Sequence, residues 1–364
     1  MMKRLLLLFS FPLLFTIANG SNPHLSFFCE LRGKEFNELF ADSALINELV
    51  EMQVSLRIGL HDFSSEITCT LQRLNQAGIP LFAWLLLPEE DGYWFNMYNG
   101  EKAGKRYDDF IKWTADNNLK WEGIGIDLEP DMNDGTLALT HPWKLAWKIY
   151  KRLYDNKSLN AGKELYQKLI ARMKADGYSV ESYLIPYIFE ERARKTSSLQ
   201  KFLGIVDIET DTEIPMLYTS AMGNPGIIPL YHQNKMPIAL GSTGGGVNIE
   251  GIELAAISWE KLEQDLLVAS KLTDEILIFC LETSAQKGFL TKIKTLDFNQ
   301  QAPDITSEIE RQKKMSRTIR TIIVVLDHPF WFTVVVAVIV SGSLFGIYKL
   351  IALIIRLFTR KNSR

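Results

Sequence analysis

The chain has little of what redox and structural-metal sites are made from. Its 364 residues include only three cysteines, Cys29, Cys69 and Cys280, and five histidines. No two cysteines form a C-x-x-C pair, which excludes the common zinc and dithiol motifs. Each sits in apolar surroundings and reads as a core thiol. One disulfide is open to them in an oxidising compartment, and the sequence names no pair. An excess of charge is also missing: the formal net charge is −3, so there is no electrostatic footprint for nucleic acid. No Gly-rich phosphate loop follows the first strand candidate, and Gly244-Gly245-Gly246 lacks the Lys-Ser/Thr that completes a nucleotide loop. These glycines read as a turn rimming the site. Neither a cofactor nor a metal is expected.

Long apolar runs occur only at the two ends. Lys3-Arg4 precede the run Leu5 to Ile17, and small residues follow at Ala18 and Gly20. Residues 1–20 are therefore expected to be a secretory signal peptide. Phe330 to Ile355 carries one charge, Lys349, and a span over 329–356 is long enough to cross a bilayer. Gly342 and Gly346 form a small-xxx-small pair that allows self-association through that helix. Residues 357–364 form a basic tail, expected on the cytoplasmic side. The expected topology is single-pass, with the body outside the cytoplasm, at a cell surface, in a periplasm or in a lumen. Residues 299–328 are expected to be a stalk and juxtamembrane segment: 300–314 is polar, contains Pro303 and reads as a short stalk running into a juxtamembrane helix. Asn156-Lys157-Ser158 is a glycosylation sequon.

Between these ends, short apolar runs alternate with amphipathic helical patterns. Strands are expected at residues 24–30, 54–61, 79–87, 123–128, 182–188, 213–218, 236–240 and 275–281. Helices are expected at 35–52, 65–76, 105–117 and 258–271, with two more helical pieces in 144–175. Strands interleaved with helices over residues 21–298 fit a (β/α)8 TIM barrel. A doubly wound open sheet is the alternative.

The stretch richest in chemistry is Glu122-Gly123-Ile124-Gly125-Ile126-Asp127-Leu128-Glu129-Pro130. Alternation along a strand sets Asp127 and Glu129 on one face, and Pro130 ends the ladder. Two neighbouring carboxyls raise one another's affinity for a proton, which suits a proton donor near neutral pH. Other acids fall at strand ends too: Glu30, Asp62, Glu89, Glu90, Glu190 and Glu282, with His61, Tyr218 and Ser242. With one histidine in that set, a Ser-His-Asp nucleophile is poorly supported. His61 and Asp62, as adjacent strand residues, face opposite ways and make a poor metal pair. After the third strand, Tyr93, Trp94, Phe95 and Tyr98 crowd one turn-rich loop. Such rings suit stacking on the apolar faces of sugars, or else fold back onto the barrel.

The strand-four acids and the barrel layout resemble the chitinase family of glycoside hydrolases, the family-18 type, whose signature there is D-x-x-D-x-D-x-E. Here Glu122 and Gly125 replace the first two Asp, and Asp127 and Glu129 keep the last two acids. The family's Met-x-Tyr on strand six is matched by Met216-Leu217-Tyr218. Cys280-Leu281-Glu282 stands where the family often has Trp. The resemblance implies an extracytoplasmic glycosidase acting on a carbohydrate that contains N-acetylhexosamine. In it Glu129 is the general acid, Asp127 orients the acetamide that attacks the anomeric carbon, and Tyr218 hydrogen-bonds that acetamide. Trp84, Tyr93, Trp94, Tyr98, Met216 and Glu282 are the expected substrate-binding set. Two alternatives stand beside it. Glu129-Pro130 is also similar to the acid/base motif of two-carboxylate retaining glycosidases, in which Glu282 would be the nucleophile. The third is a membrane-anchored sugar-binding protein without turnover.

Overall fold

A computed structural model of the chain describes residues 22–245, 255–331 and 333–334. The expected signal peptide, nearly all of the expected span and the whole basic tail lie outside the described residues, as does Gly246. Among the described residues, no helix is long and apolar enough to cross a membrane.

Eight parallel strands form one sheet: β1 His24–Cys29, β2 Ser55–Leu60, β3 Leu81–Leu85, β4 Gly123–Leu128, β5 Ser179–Leu184, β6 Thr212–Pro215, β7 Ile238–Gly241 and β8 Glu275–Phe279. The spatial order is β6-β5-β4-β3-β2-β1-β8-β7. The two ends of that order meet through a single parallel bridge, Met216 to Ala239, with Leu217 N–H donating to Ala239 O at 2.8 Å. The sheet is thus a nearly closed barrel, wrapped by helices, with the (β/α)8 layout.

Side chains alternate in and out of this barrel. Outward-facing Leu, Ile and Phe pack against the helices as the main core. Inside, Phe28, Trp84, Tyr183, Leu277 and Phe279 form a second apolar cluster. Below it lies a polar layer. Arg57 is buried, donates twice to Glu181 at 3.0 Å, and also reaches Glu275 at 2.9 Å and Ser55 at 2.8 Å. Its guanidinium lies 4.1 Å from the Phe82 ring centroid.

The strands differ from expectation mainly at their ends. β5 begins at Ser179 rather than at residue 182, because Glu181 is a buried strand residue neutralised by Arg57. Pro186 ends it early, and Ile188 already belongs to the helix Ile188–Arg194. β6 stops at Pro215, with Met216 N–H making one last bond to Leu184 O at 2.9 Å. The helix expected over 35–52 is two, Gly33–Ala41 and Ser43–Glu51. Asp42 breaks it by accepting from Ala44 N–H at 2.8 Å, capping the second piece. All three cysteines are free, and Cys69 is exposed rather than in the core.

The segment expected as a stalk and juxtamembrane helix holds the helix Thr306–Leu326, which starts within the expected stalk and is docked on the barrel's outer helices. Its buried Ser316 and its Arg320 both donate to Glu190, a buried carboxyl that also accepts from Tyr231 Oη at 3.0 Å. Asn224 Nδ2 donates to Glu308 O at 3.1 Å.

Candidate active site

The inner face of β4 carries Gly123, Gly125 and Asp127, in register with Glu181 and Tyr183 of β5. Gly125 has a steric reason. A Cβ there would come within 2.1 Å of Tyr183 Oη, so Tyr183 fills the space that a side chain at position 125 would need. The phenol donates to Glu181 Oε1 at 2.7 Å, which ties it to the Arg57 layer. On its position-125 side, Asp127 therefore stands over the Tyr183 ring.

Above that ring is a cavity of about 540 Å³. Asp127, Glu129 and Glu30 project into it, with Tyr218 and Met216 from the end of β6. Phe28, Trp84 and Phe279 make the apolar base. Trp84 lies edge-on to Tyr183, with ring centroids 6.0 Å apart, and Tyr218 stacks on Phe279 at 5.8 Å. One wall is the helix Met132–Thr140, through Met132, Gly135, Ala138 and Leu139.

All three carboxyls hold protons more tightly than usual. Burial, with Glu129 and Glu30 as like-charged neighbours, drives Asp127 far above the ordinary carboxylate range. Burial lifts Glu129 to about 7, and hydrogen bonding with Asp127 opposes that rise. The two titrate as a pair. Glu30 is pushed up to about 8, chiefly by burial. Tyr93 Oη donates to Glu30, and His61 Nε2 lies 3.0 Å from Glu30 O. Burial and nearby Arg32 lower the His61 imidazole to about 4, so it is neutral at pH 7. Asp127 Oδ1 and Trp84 Nε1 are both buried without a well-formed hydrogen bond, and the indole lies near enough to the Asp127 carboxyl to favour its ionised form.

Not all the expected residues meet here. Asp127, Glu129, Tyr218, Met216, Trp84 and Trp94 line this cavity. Tyr93 does not: its ring is buried beneath Trp94 and its hydroxyl serves Glu30. Tyr98 is exposed outside the cavity, at the foot of the loop. Phe95 is buried against Tyr166 at 5.7 Å. The aromatic loop has thus folded two of its four rings inward, held by Phe95 N–H donating to Asp127 O at 2.9 Å and Asn99 Nδ2 donating to Trp94 O at 2.9 Å. Glu282 walls a neighbouring cavity of about 630 Å³, shared with Arg32, Glu89 and Tyr93. Its Oε1 accepts from Glu30 N–H at 3.4 Å. No group of three His, Cys, Asp or Glu with metal-binding arrangement occurs among the described residues.

Sequence reasoning did not single out Phe28, Phe279, Tyr183 or the Met132–Thr140 wall. Phe28 and Phe279 had a usable signal, because alternation along β1 and β8 turns both inward. Tyr183 had one in the unexpected glycine at 125. The helical wall had none.

No family model matches the chain, and no curated protein matches it. Solved structures overlap it at low identity. Gas2p of Saccharomyces cerevisiae in complex with laminaritriose and laminaritetraose is 12% identical, over 70% of this chain and 56% of that one, with a TM-score of 0.37. The GH18 chitinase ChiB from the chitin utilization locus of Flavobacterium johnsoniae is 11% identical, over 72% and 89%, with a TM-score of 0.40. An uncharacterized B. cereus protein is 9% identical, over 76% and 66%, with a TM-score of 0.36. The chain spans little more than half the length of Gas2p. Overlap this loose does not bear on chemistry, which rests on the cavity itself.

Proposed function

We propose that the chain is a membrane-anchored, extracytoplasmic glycoside hydrolase. In this proposal it cleaves a glycan containing N-acetylhexosamine by acid-catalysed, substrate-assisted retention. The observation that carries the proposal is that Asp127, Glu129, Tyr218 and Met216 wall one cavity at the C-terminal end of the barrel strands, over an aromatic base. That end is where barrel enzymes assemble their sites.

Glu129, near 7, is partly protonated at neutral pH and can give its proton to the glycosidic oxygen as the bond to the anomeric carbon breaks. The substrate's acetamide oxygen closes on that carbon. Asp127 accepts the acetamide N–H, and the Tyr218 hydroxyl donates to the acetamide oxygen. Glu129, now a carboxylate, takes a proton from the water that opens the ring intermediate, so configuration is retained. Trp84 and Phe279 offer apolar surface to the sugar ring. The acidic environment supports an acetamide nucleophile. Each carboxyl in the cavity is driven toward its neutral form, and Glu30, at about 8, is a poor nucleophile at pH 7. The two-carboxylate alternative has less support, because Glu282 belongs to the neighbouring cavity.

Variants separate these mechanisms. Glu129→Gln should lower kcat by ~10²–10⁴-fold on N-acetylhexosamine oligomers. Asp127→Asn should also lower kcat sharply, Glu282→Gln should leave it within a few-fold, and a thiazoline mimic of the cyclised acetamide should inhibit. Loss of turnover in Glu282→Gln, with hydrolysis of sugars lacking an acetamide, would overturn the mechanism. Binding without turnover, unchanged in Glu129→Gln, would overturn the enzyme.

A further inference from the structure

The helix Pro142–Arg152 carries an aromatic face that the body of the protein leaves uncovered. Trp143, Trp147, Tyr150 and Tyr154 recur at helical spacing and form one stripe. That stripe faces outward: Trp143 is 76% exposed, Trp147 58% and Tyr154 52%. The rings pack on one another, Trp147 on Tyr150 at 5.3 Å and Tyr150 on Tyr154 at 5.4 Å. Lys144 and Lys151 flank them, with Lys151 Nζ 5.2 Å from the Trp147 ring centroid. What fastens the helix is mixed: Leu145 and Ile149 are partly buried, Leu153 just beyond it is buried, and polar groups add to them. Arg152 is buried and donates to Asp134 Oδ2 at 2.7 Å and to Phe202 O at 2.8 Å, and Lys148 pairs with Asp134 at 2.6 Å. The barrel thus grips the opposite side of this helix and leaves the Trp143, Trp147 and Tyr154 rings exposed.

The place of this stripe says what covers it. The Tyr154 phenol lies beside the Thr333 hydroxyl, where the apolar run from Phe330 begins. Phe330 and Trp331 are themselves 67% and 60% exposed. Exposed tryptophan and tyrosine interleaved with lysine is the composition of a membrane–water interface, where rings sit at headgroup depth and lysines meet anionic lipid. We infer that the Trp143–Tyr154 stripe is a second membrane contact, lying in the lipid interface beside the 329–356 span. The inference rests on the bilayer span proposed above. Because the wall helix Met132–Thr140 runs directly into this helix through His141, the contact sets the mouth of the Asp127–Glu129 cavity next to the bilayer surface. The glycan within reach is then one held close to that surface.

The test uses the full-length chain with Cys69→Ser, which removes the exposed thiol. A single cysteine is added by Trp143→Cys or, separately, Trp147→Cys, and labelled with an environment-sensitive nitrobenzoxadiazole dye. Lys34→Cys on the helix Gly33–Ala41, three strands away around the barrel, is the control. In vesicles of phosphatidylcholine and phosphatidylglycerol, lipids brominated on the acyl chains should quench the dye at 143 and 147 several-fold more than at 34. Equal quenching at all three positions overturns the inference. So does shielding at 143 that follows protein density rather than lipid, which marks a contact between copies. Shielding by a soluble N-acetylhexosamine oligomer, without lipid quenching, marks a glycan platform and overturns it as well. Flotation after alkaline extraction checks the span by itself. A chain washed off the vesicles removes both anchor and inference, whereas a retained chain with unquenched dye removes the inference alone.

Discussion

Glu30 shows how far a strand-end residue departs from its sequence appearance. It was legible as an acid at the end of β1. Its nearest partner, Tyr93, comes from a loop 63 residues away, and local patterning carries nothing about which strand ends converge. The native state holds the Glu30 proton up to about 8, against an ordinary value of 4.5. The folded chain therefore binds more protons than the unfolded one between those limits. Its contribution is full below the ordinary value and is lost as pH rises through about 8. Glu30→Gln keeps an acceptor for Tyr93 and removes the titration. The variant should melt higher than the parent at pH 8, with the gap closing below pH 5, by calorimetry across that range. Glu129 gives a kinetic counterpart: as the acid it must be protonated, so kcat/KM should fall above about pH 7. At position 125, an alanine has no room beside Tyr183. Gly125→Ala should lower the melting temperature by several degrees. In a Tyr183→Ala background the same change should cost far less, since the two share one space.

At the scale of elements, the sequence was most informative where a period was long and uninterrupted. The helix Ser65–Gln76 and strand β4 lie where alternation and amphipathicity set them. It was least informative where a polar side chain is buried with a distant partner. Glu181 looked like a strand boundary because Arg57 is 124 residues away. The polar run over 300–314 read as a stalk before a juxtamembrane helix, although Gln312 and, further on, Ser316 are buried on the barrel. Glu190 collects the contacts that hold this helix. Glu190→Ala should loosen it, so limited trypsin digestion should cut between Arg311 and Arg320 faster than in the parent while barrel fragments stay intact. Unchanged cleavage there would show that apolar contacts through Ile323 and Leu326 suffice.

Across the whole molecule, the eight strands were legible because each is a separate apolar run, and their interleaving with helices pointed to the barrel; how loosely its last pair closes was not legible. Seven neighbouring strand pairs share ladders, but β6 and β7 meet at one bridge. Backbone groups without a ladder open more readily. Amides of residues 212–217 and 238–241 should therefore exchange with deuterium faster than those of β2 and β3, by mass spectrometry of native protein. Across the barrel interior, Arg57 links β2 to β5 and β8. Removing one partner of a buried ion pair costs ~3–5 kcal/mol. Arg57→Met should lower stability on that scale, measured by urea unfolding, and adding Glu181→Gln should recover part of it.

The glycine and tyrosine packed against each other inside the barrel also constrain which sequences can be neighbours by single steps. A chain with any side chain at 125 and tyrosine at 183 must displace the tyrosine ring or the strand, since the Cβ would lie 2.1 Å from the phenol oxygen. A chain with glycine at 125 and a small residue at 183 has only a void. Any route between this barrel and one bearing an acid at position 125 therefore passes through the void rather than the clash. Emptying 125 must precede filling 183 in one direction, and trimming 183 must precede refilling 125 in the other.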